Sequence, residues 1–252
     1  MIALADILHY LPYGIIGLVA GIVSGLGGSG GMILVPTLIA IGMPPQLAVG
    51  TTRISSLGSF ALMSFRFNKA KKIKWEVMPK LVAISIIFAI LGTFITLSAS
   101  GIFIKITIVS IVLIVAPISL FHKDFGLKPR KVSPKETLTG YISFAITMII
   151  SGMVGMSSAL ESFIGIRFLG LTVLEAHATF AASWAVPAFL TSIIFMFTLP
   201  IDYAIALVIF INMAIGGYIG SHVAVKIDEK WVKYIVFGTA IIVALKVLIE
   251  TF

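Results

Sequence analysis

Eight apolar stretches account for most of this chain, and two of them are interrupted in the middle by small residues. A membrane-spanning helix needs about 20 apolar residues, because the hydrocarbon core is about 30 Å thick and each residue adds about 1.5 Å. With 59% apolar residues, 11% charged residues and a mean hydropathy of +1.15, the chain lacks the polar surface of a soluble globule. We therefore predict an all-α integral membrane protein. The uninterrupted runs span 46–67, 76–97, 101–121, 175–199, 201–222 and 231–250, and the interrupted runs span 10–42 and 137–170.

Few residues of this chain could bind a metal or a cofactor or form a disulfide. The chain has no cysteine, and its four histidines lack metal-ligand spacing, so we expect no disulfide, no metal site and no cofactor. The net charge of +8 comes mainly from short loops, where Lys and Arg act as topology signals. We therefore expect the lipid bilayer as a partner and no nucleic acid; a small anionic substrate is expected from the two interrupted runs, as argued below. The sequence leaves the oligomeric state open.

The two interrupted runs occupy equivalent positions of an internal repeat. Sliding the chain by 128 residues, without a gap, keeps glycine, serine, threonine and aromatic positions in one register over about 90 positions. We predict a first membrane repeat over 1–121, a basic cytoplasmic loop over 122–136 and a second membrane repeat over 137–252. Together they form one integral membrane domain. The aligned pairs include Tyr13 and Tyr141, Gly27 and Gly155, Ser29 and Ser157, Gly42 and Gly170, Ala48 and Ala176, Thr51 and Thr179, and Gly92 and Gly220.

The loop charges predict an orientation. Three loops are basic, 66–74, 122–135 and 223–233, whereas the connections 98–102 and 199–202 contain no cation. All three basic loops fall on the cytoplasmic side only if each interrupted run enters the membrane, turns at its break and leaves on the same side. Each half then has three transmembrane helices plus one broken re-entrant hairpin, so the two four-element repeats are inverted. We predict a multi-pass protein of the cell membrane with both termini outside.

The two breaks predict an anion site. Non-helical backbone inside a membrane is tolerated only within protein or beside a watery cavity. Half-helices that begin near 29–32 and 157–160 would point free N–H groups and the positive ends of their dipoles at the centre, which favours an anion. Transporters built from inverted repeats bind substrate near the bilayer midplane, where the two interrupted segments meet, and open to each side in turn by rocking one half against the other. The other interpretation is that the breaks are only helix-packing glycines. The residues expected to touch substrate here are Gly28, Ser29, Gly30, Gly31, Ser157 and Ser158.

Arg53 is the strongest candidate for a substrate contact. It lies about seven residues inside its apolar run, roughly 10 Å below the interface, where an arginine normally faces a cavity or a partner. Its planar fork of donors fits sulfonate, sulfite or carboxylate oxygens. We expect hydroxyls of Thr51, Thr52 and Thr179 to assist it. The alternatives for Arg53 are snorkelling to the outer interface or a structural ion pair with Glu161.

Two further titratable residues are candidates for proton coupling. Glu161 falls in the first turn of the second half-helix, where its carboxylate suits the dipole but repels an anion unless protonated or paired. His177 could form a coupling pair with it. The structural alternatives are a capping or ion-pairing role for Glu161 and a simple hydrogen-bonded role for His177. We expect Arg167 to snorkel and Trp184 to pack in the core rather than line a cavity.

Several segments carry a family resemblance over nearly the whole chain. Besides the first break, they are 42–45, 48–52, 176–179 and 216–221. The chain resembles the sulfite exporter TauE/SafE family, which implies movement of sulfur-containing anions such as sulfite or small organosulfonates, usually outward. The second half departs from the family pattern at 157–159 and at Ile164. The first break reads Gly21-x-x-Ser24-Gly25-Leu26-Gly27-Gly28-Ser29-Gly30-Gly31-Met32-Ile33-Leu34-Val35-Pro36.

Other functions stay open beside the leading hypothesis of an anion exporter with alternating access. Within transport, the alternative is uptake of thiosulfate-like or carboxylate anions. A membrane-embedded enzyme or a scaffold is the alternative of another class. We expect no enzyme, because the sequence has no zinc-protease, serine-hydrolase or paired-aspartate motif.

Overall fold

A computed structural model describes residues 4–104, 106, 107, 110, 126–232, 234 and 235, with side chains from Leu8 onward. These parts of the chain contain helices and connecting turns and no strand. Four helices are long and apolar enough to cross a membrane, and a bent pair of helices adds a fifth candidate. The helices are α1 Leu4–Leu26, α2 Gly30–Ala40, α3 Pro45–Lys69, α4 Met78–Ser98, α5 Pro134–Val154, α6 Ser158–Leu169, α7 Val173–Ser183, α8 Ala185–Thr198 and α9 Tyr203–Ala224.

The candidate spans agree in part with the apolar runs. They are α1, α4, α5 and α9, together with α7 and α8, which are bent by 42° at Trp184. The prediction of an all-helical, multi-pass membrane protein is confirmed at this level. α3 covers the predicted run 46–67, but it is not among the candidate spans because a row of buried Thr, Arg and Ser side chains lowers its hydropathy. The predicted runs 101–121 and 231–250 lie mostly outside the described residues.

Both predicted breaks are present. The first break, residues 27–29, separates α1 from α2, and the second break, residues 155–157, separates α5 from α6. Gly27 has a φ of +118° and Gly155 a φ of +71°, a region that favours glycine because it has no Cβ. Glycine at these repeat-equivalent positions therefore allows each helix to stop where it does.

α1 and α9 lie side by side and run in the same direction. A Cβ on Gly17 would meet Ile209, and a Cβ on Gly25 would meet Gly217, so the residue numbers rise together along the two helices. Small residues at this interface let the backbones approach closely, as is usual between helices in a membrane.

α3 runs in the same direction as α9. Gly50 lies beside Ile201, and further along the helices Ser59 lies beside Gly217. Because α1 and α3 both run with α9, the short α2 between them runs back. The chain therefore returns, at the start of α3, to the end of the bundle at which α1 began.

The remaining long helices run the opposite way. Phe67 contacts His177 in α7, with ring centroids 5.5 Å apart, whereas Gly50 lies beside Phe195 in α8, so α7 and α8 are antiparallel to α3. Gln46, at the start of α3, donates a hydrogen bond of 2.8 Å to the Ala99 carbonyl just after α4, so α4 is also antiparallel to α3.

α5 packs along α4 in the same direction. The Lys80 ammonium lies 5.5 Å from the Tyr141 ring centroid near the start of both helices, and Thr96 donates a 2.7 Å hydrogen bond to the Met153 carbonyl near their ends. α1 of the first half therefore packs against α9 of the second half, and α5 of the second half packs against α4 of the first.

The described parts of the basic loops lie at one end of the bundle, called here the basic end. Lys72 forms an ion pair of 3.7 Å with Glu229, which joins the loop after α3 to the segment after α9. The Gly126 carbonyl accepts a 2.8 Å hydrogen bond from the Val173 N–H, at the start of α7. The cation-free connections after α4 and α8 lie at the opposite end.

Candidate functional site

A cavity lined mostly by buried residues lies between the two breaks, α3 and α7. Its volume open to the centres of water molecules is about 60 Å³, several times the roughly 10–15 Å³ that one water requires. The space suits a small ion or a few waters. The lining residues are Ser24, Gly28, Ser29, Gly30, Gly31, Val49, Thr52, Arg53, Ser56, Phe60, Met63, Ser151, Gly155, Ser157, Ser158, Glu161, Ser162, His177, Phe180, Ala181, Trp184 and Met213.

The two breaks meet at this cavity. A Cβ on Gly31, in the first turn of α2, would collide with the carbonyl oxygen of Gly155 in the second break. Ser29 precedes α2 and makes no capping hydrogen bond with its side chain, and neither does Ser157 before α6. Because the first N–H groups of a helix have no partner within the helix, two helix N-termini present donors and positive dipole ends to the cavity.

α3 and α7 supply matched faces. On α3 the lining residues recur with helical spacing, and the residues 128 positions after four of them line the cavity from α7 and from Trp184 just after it. The chemical groups at these matched positions differ: Arg53 has Ala181 as its equivalent, and His177 has Val49. The equivalent pairs are Val49 and His177, Thr52 and Phe180, Arg53 and Ala181, and Ser56 and Trp184.

Arg53 is buried, with 4% of its surface exposed. One guanidinium nitrogen donates a 2.6 Å hydrogen bond to the Ser151 carbonyl in the last turn of α5, and the guanidinium carbon lies 4.7 Å from the Trp184 ring centroid. Its Nε is buried and has no hydrogen-bond partner among the described residues. Arg53 therefore stabilises a helix C-terminus while keeping one donor available.

Glu161 is equally buried, and its Oε1 accepts two hydrogen bonds. The donors are the Ser157 hydroxyl and the Trp184 indole N–H, the latter at 3.1 Å. No direct Arg53–Glu161 ion pair is found in the described part of the chain. Trp184 contacts both side chains, so it lines the cavity, in contrast to the expected role in core packing alone. Its ring also stacks on Phe60, with centroids 6.2 Å apart.

Several buried polar atoms around the cavity lack a partner. A buried polar group without a hydrogen bond costs about 1–3 kcal/mol, so a cluster of them is unusual unless a ligand or water satisfies it. Four of the five atoms can donate a hydrogen bond whatever the tautomer of the histidine. Among the described residues that line the cavity, these atoms are Thr52 Oγ1, Arg53 Nε, Ser158 Oγ, Ser162 Oγ and His177 Nε2.

All the predicted site residues except Thr51 and Thr179 line the cavity. Thr179 is fully buried on another face of α7, where its hydroxyl accepts a 3.0 Å hydrogen bond from the Lys74 N–H. Thr51 is its repeat equivalent and is also buried. Arg167 lies away from the cavity and pairs with Glu136 at 2.7 Å, partly exposed to solvent.

The sequence reasoning missed part of the lining, although helical spacing from Arg53 would have indicated some of it. Ser56 and Phe60 lie three and seven residues after Arg53 and so share its face. Ser162 follows Glu161 directly, and its position depends on how α6 is rotated. Met213 reaches the cavity from α9, and nothing in its local sequence distinguishes it from a packing residue.

The fold and the site together define a class of protein. Packed apolar helices enclose a small cavity bordered by two helix breaks, an arrangement found in membrane transporters. The family model for the sulfite exporter TauE/SafE matches residues 13–247. The chain belongs to this family of membrane transporters. That it is not an enzyme stays a prediction.

Two curated relatives carry transporter names. A probable membrane transporter protein of Haemophilus influenzae is 24% identical over 164 residues, covering 65% of this chain and 64% of that protein. The probable membrane transporter protein ORF9 of Sinorhizobium sp is 22% identical over 243 residues, covering 92% of this chain and 89% of that protein. The chain thus matches slightly less than two thirds of the Haemophilus protein. No solved structure shows a significant match.

Proposed function

We propose that this transporter carries a small sulfur oxyanion, such as sulfite or a short organosulfonate, and holds it in the cavity between the two breaks. The observation that carries the proposal is the cluster of buried donors without partners around a cavity at two helix N-termini. Such a setting stabilises negative charge by charge-assisted hydrogen bonds and by the helix dipoles.

The directions of the donors favour a sulfur oxyanion over a planar carboxylate. Arg53 and Thr52 approach from α3, the α2 N-terminus from the first half, and Ser158 and Ser162 from α6. An anion with three oxygens around sulfur can accept from all these directions, whereas the two oxygens of a carboxylate lie in one plane. The cavity volume of about 60 Å³ favours a small anion.

We propose further that the two halves are an inverted repeat. In support, α3 is antiparallel to α7 and α8, which are its repeat equivalents. α1 is parallel to α9 and therefore to α3, whereas its repeat equivalent α5 is parallel to α4, which is antiparallel to α3. α1 and α5 are therefore antiparallel, and so are the equivalents α4 and α9. Because the breaks of both halves border the cavity, rocking one half against the other would expose it to each side in turn.

The cations of the loops at the basic end favour a cytoplasmic position for that end of the bundle. Cytoplasmic loops carry the excess of Lys and Arg, and α1 begins at the opposite end, which supports an external N-terminus. The C-terminal residues 236–252 lie outside the described part of the chain, so their external position stays a prediction from sequence. Outward transport rests on the family resemblance.

The proposal is tested by anion binding to the detergent-purified protein. We would measure calorimetric binding and thermal stabilisation with sulfite, methanesulfonate, thiosulfate, sulfate and acetate, and with choline as a cationic control. We expect selective binding of sulfite and methanesulfonate that falls at least tenfold in Arg53→Lys, because an ammonium lacks the planar fork of donors. Arg167→Lys, which changes a surface ion pair, is the matched control and should bind as wild type.

Three results would change the conclusion. Binding of acetate alone would favour a carboxylate transporter, and tight thiosulfate binding with uptake into proteoliposomes would favour the importing alternative. Absence of binding for every anion would overturn the proposed function. Efflux of radiolabelled sulfite from oriented proteoliposomes, compared with uptake, tests the direction.

A further inference from the structure

The cavity contains one group that does not suit an anion. Glu161 is 4% exposed, lies in the first turn of α6 and lines the same cavity as Arg53. An ionised carboxylate there repels the substrate proposed above. Arg53 supplies one positive charge, which Glu161 cancels, so a bound anion would leave net negative charge in a buried site.

The contacts of Glu161 show which of its oxygens is available. Ser157 and Trp184 both donate to Oε1. Among the described residues, neither oxygen has a direct ion pair with Arg53, and no hydrogen bond reaches Oε2. The carboxylate is therefore held in place by one oxygen while the other can take a proton or accept a hydrogen bond from a bound molecule.

Few other charged groups at the cavity could take up a proton in place of Glu161. Among the described residues that line the cavity, the other titratable or charged side chains are Arg53 on α3 and His177 on α7. From α5, α2 and α9 the cavity receives only serine, glycine and methionine. The His177 ring lies against Phe67 and within reach of the Ser24 backbone, toward the basic end, whereas Trp184 links Glu161 directly to Arg53.

We propose that the transporter binds one anion together with one proton, and that Glu161 is the residue that receives this proton at Oε2. The inference rests on the proposed function and deepens it. A fully ionised sulfonate requires the proton on the carboxylate itself. A hydrogen-bearing oxyanion of the same single charge requires it too, because its O–H leaves the charge that it brings at −1. In both cases Oε2 takes up one proton when one anion binds, and Arg53 is left to balance the anion.

Methanesulfonate is the best probe, because it carries no titratable proton near neutral pH. Calorimetry in two buffers with different heats of ionisation gives the number of protons taken up on binding. At pH values where Glu161 is ionised in the free protein, we expect wild-type protein to take up about one proton on binding and its affinity to fall about tenfold per pH unit. In Glu161→Gln, binding should persist, with no proton uptake and no dependence on pH.

Two variants serve as controls. Glu175→Gln removes a carboxylate that lies on α7, outside the cavity lining, and is paired with Lys74 at 2.7 Å; it should keep the proton uptake. His177→Gln tests the other titratable residue of the cavity and should take up the proton with whatever methanesulfonate it still binds. If His177→Gln binds methanesulfonate without proton uptake, or Glu161→Gln binds it with uptake, the assignment to Glu161 is wrong.

The wild-type measurement decides the inference even if Glu161→Gln does not fold. Methanesulfonate binding with neither proton uptake nor a pH-dependent affinity at any pH where the protein is folded overturns it while leaving the proposed function intact. Absence of anion binding overturns the proposed function first. As a second readout, an outward methanesulfonate gradient across proteoliposomes should raise the internal pH, reported by an enclosed dye, because protons leave with the anion.

Discussion

The hydrogen bond between Trp184 and Glu161 can be removed by one conservative substitution. Trp184→Phe keeps an aromatic ring against Arg53 and Phe60 but deletes the indole N–H that donates to Glu161 at 3.1 Å. A hydrogen bond to a charged group contributes about 1.5–3 kcal/mol to the free energy of unfolding. At about 2–4 °C per kcal/mol for a chain of this length, the apparent Tm should fall by about 3–12 °C.

A second tryptophan provides the matched control. Trp75 is 60% exposed, and its indole N–H donates to Asn68 at 3.2 Å. Trp75→Phe makes the same chemical change on the surface, where the cost is about 0.5 kcal/mol or less and the Tm should move by no more than about 2 °C. Both variants are compared in one detergent by fluorescence-detected thermal unfolding.

A double-mutant cycle separates the hydrogen bond from lost packing. In the Glu161→Gln background the acceptor is neutral, so Trp184→Phe should cost about 1 kcal/mol less than in wild type. The reasoning is refuted if Trp184→Phe shifts the Tm no further than Trp75→Phe does, or if the two changes are additive. Either result would mean that the indole does not hold the carboxylate.

Three further predictions follow from packing and topology. Thr179→Val should lower the free energy of unfolding by about 1–2 kcal/mol, because a buried N–H loses its acceptor, yet leave anion affinity unchanged in calorimetry; reduced affinity with normal stability would place the hydroxyl in the site after all. Gly31→Ala should lower both the Tm and anion binding, since its Cβ would push the two breaks apart, whereas Gly14→Ala meets only a flexible side chain at 3.3 Å and should be tolerated; equal effects would contradict the contact between the breaks. The chain has no cysteine, so Ser100→Cys should react with an impermeant maleimide in intact cells and Lys69→Cys only after permeabilisation; the reverse pattern would invert the orientation.

The local structure of both breaks could be predicted from the sequence. Glycine and serine clusters interrupt apolar runs at positions 128 residues apart, and a helix ends where glycine adopts a positive φ, as Gly27 and Gly155 do. Arg53 could also be predicted, because an arginine so deep in an apolar run needs a cavity or a partner. These inferences depend on residue type and sequence distance alone.

The rotation of each helix about its axis could not be predicted. Thr51 and Arg53 are two residues apart, which puts them about 200° apart around a helix, so both cannot face one small cavity. The sequence repeat highlighted Thr51 and Thr179 because they are identical, yet the cavity uses the neighbouring face, where the two halves differ. Residues identical in the two halves therefore indicated which helices correspond, but they did not indicate which residues line the cavity.

The sequence by itself determined that this chain is a multi-pass helical membrane protein with two interrupted segments and a buried arginine, because hydropathy, small residues and charge are local properties. Only the tertiary structure decided that Trp184 lies between Arg53 and Glu161 and that the two breaks touch. The physical reason is that helical periodicity fixes which residues share a face. Packing between helices 100 or more residues apart in the chain, through contacts such as that of Gly31 with Gly155, decides which faces meet.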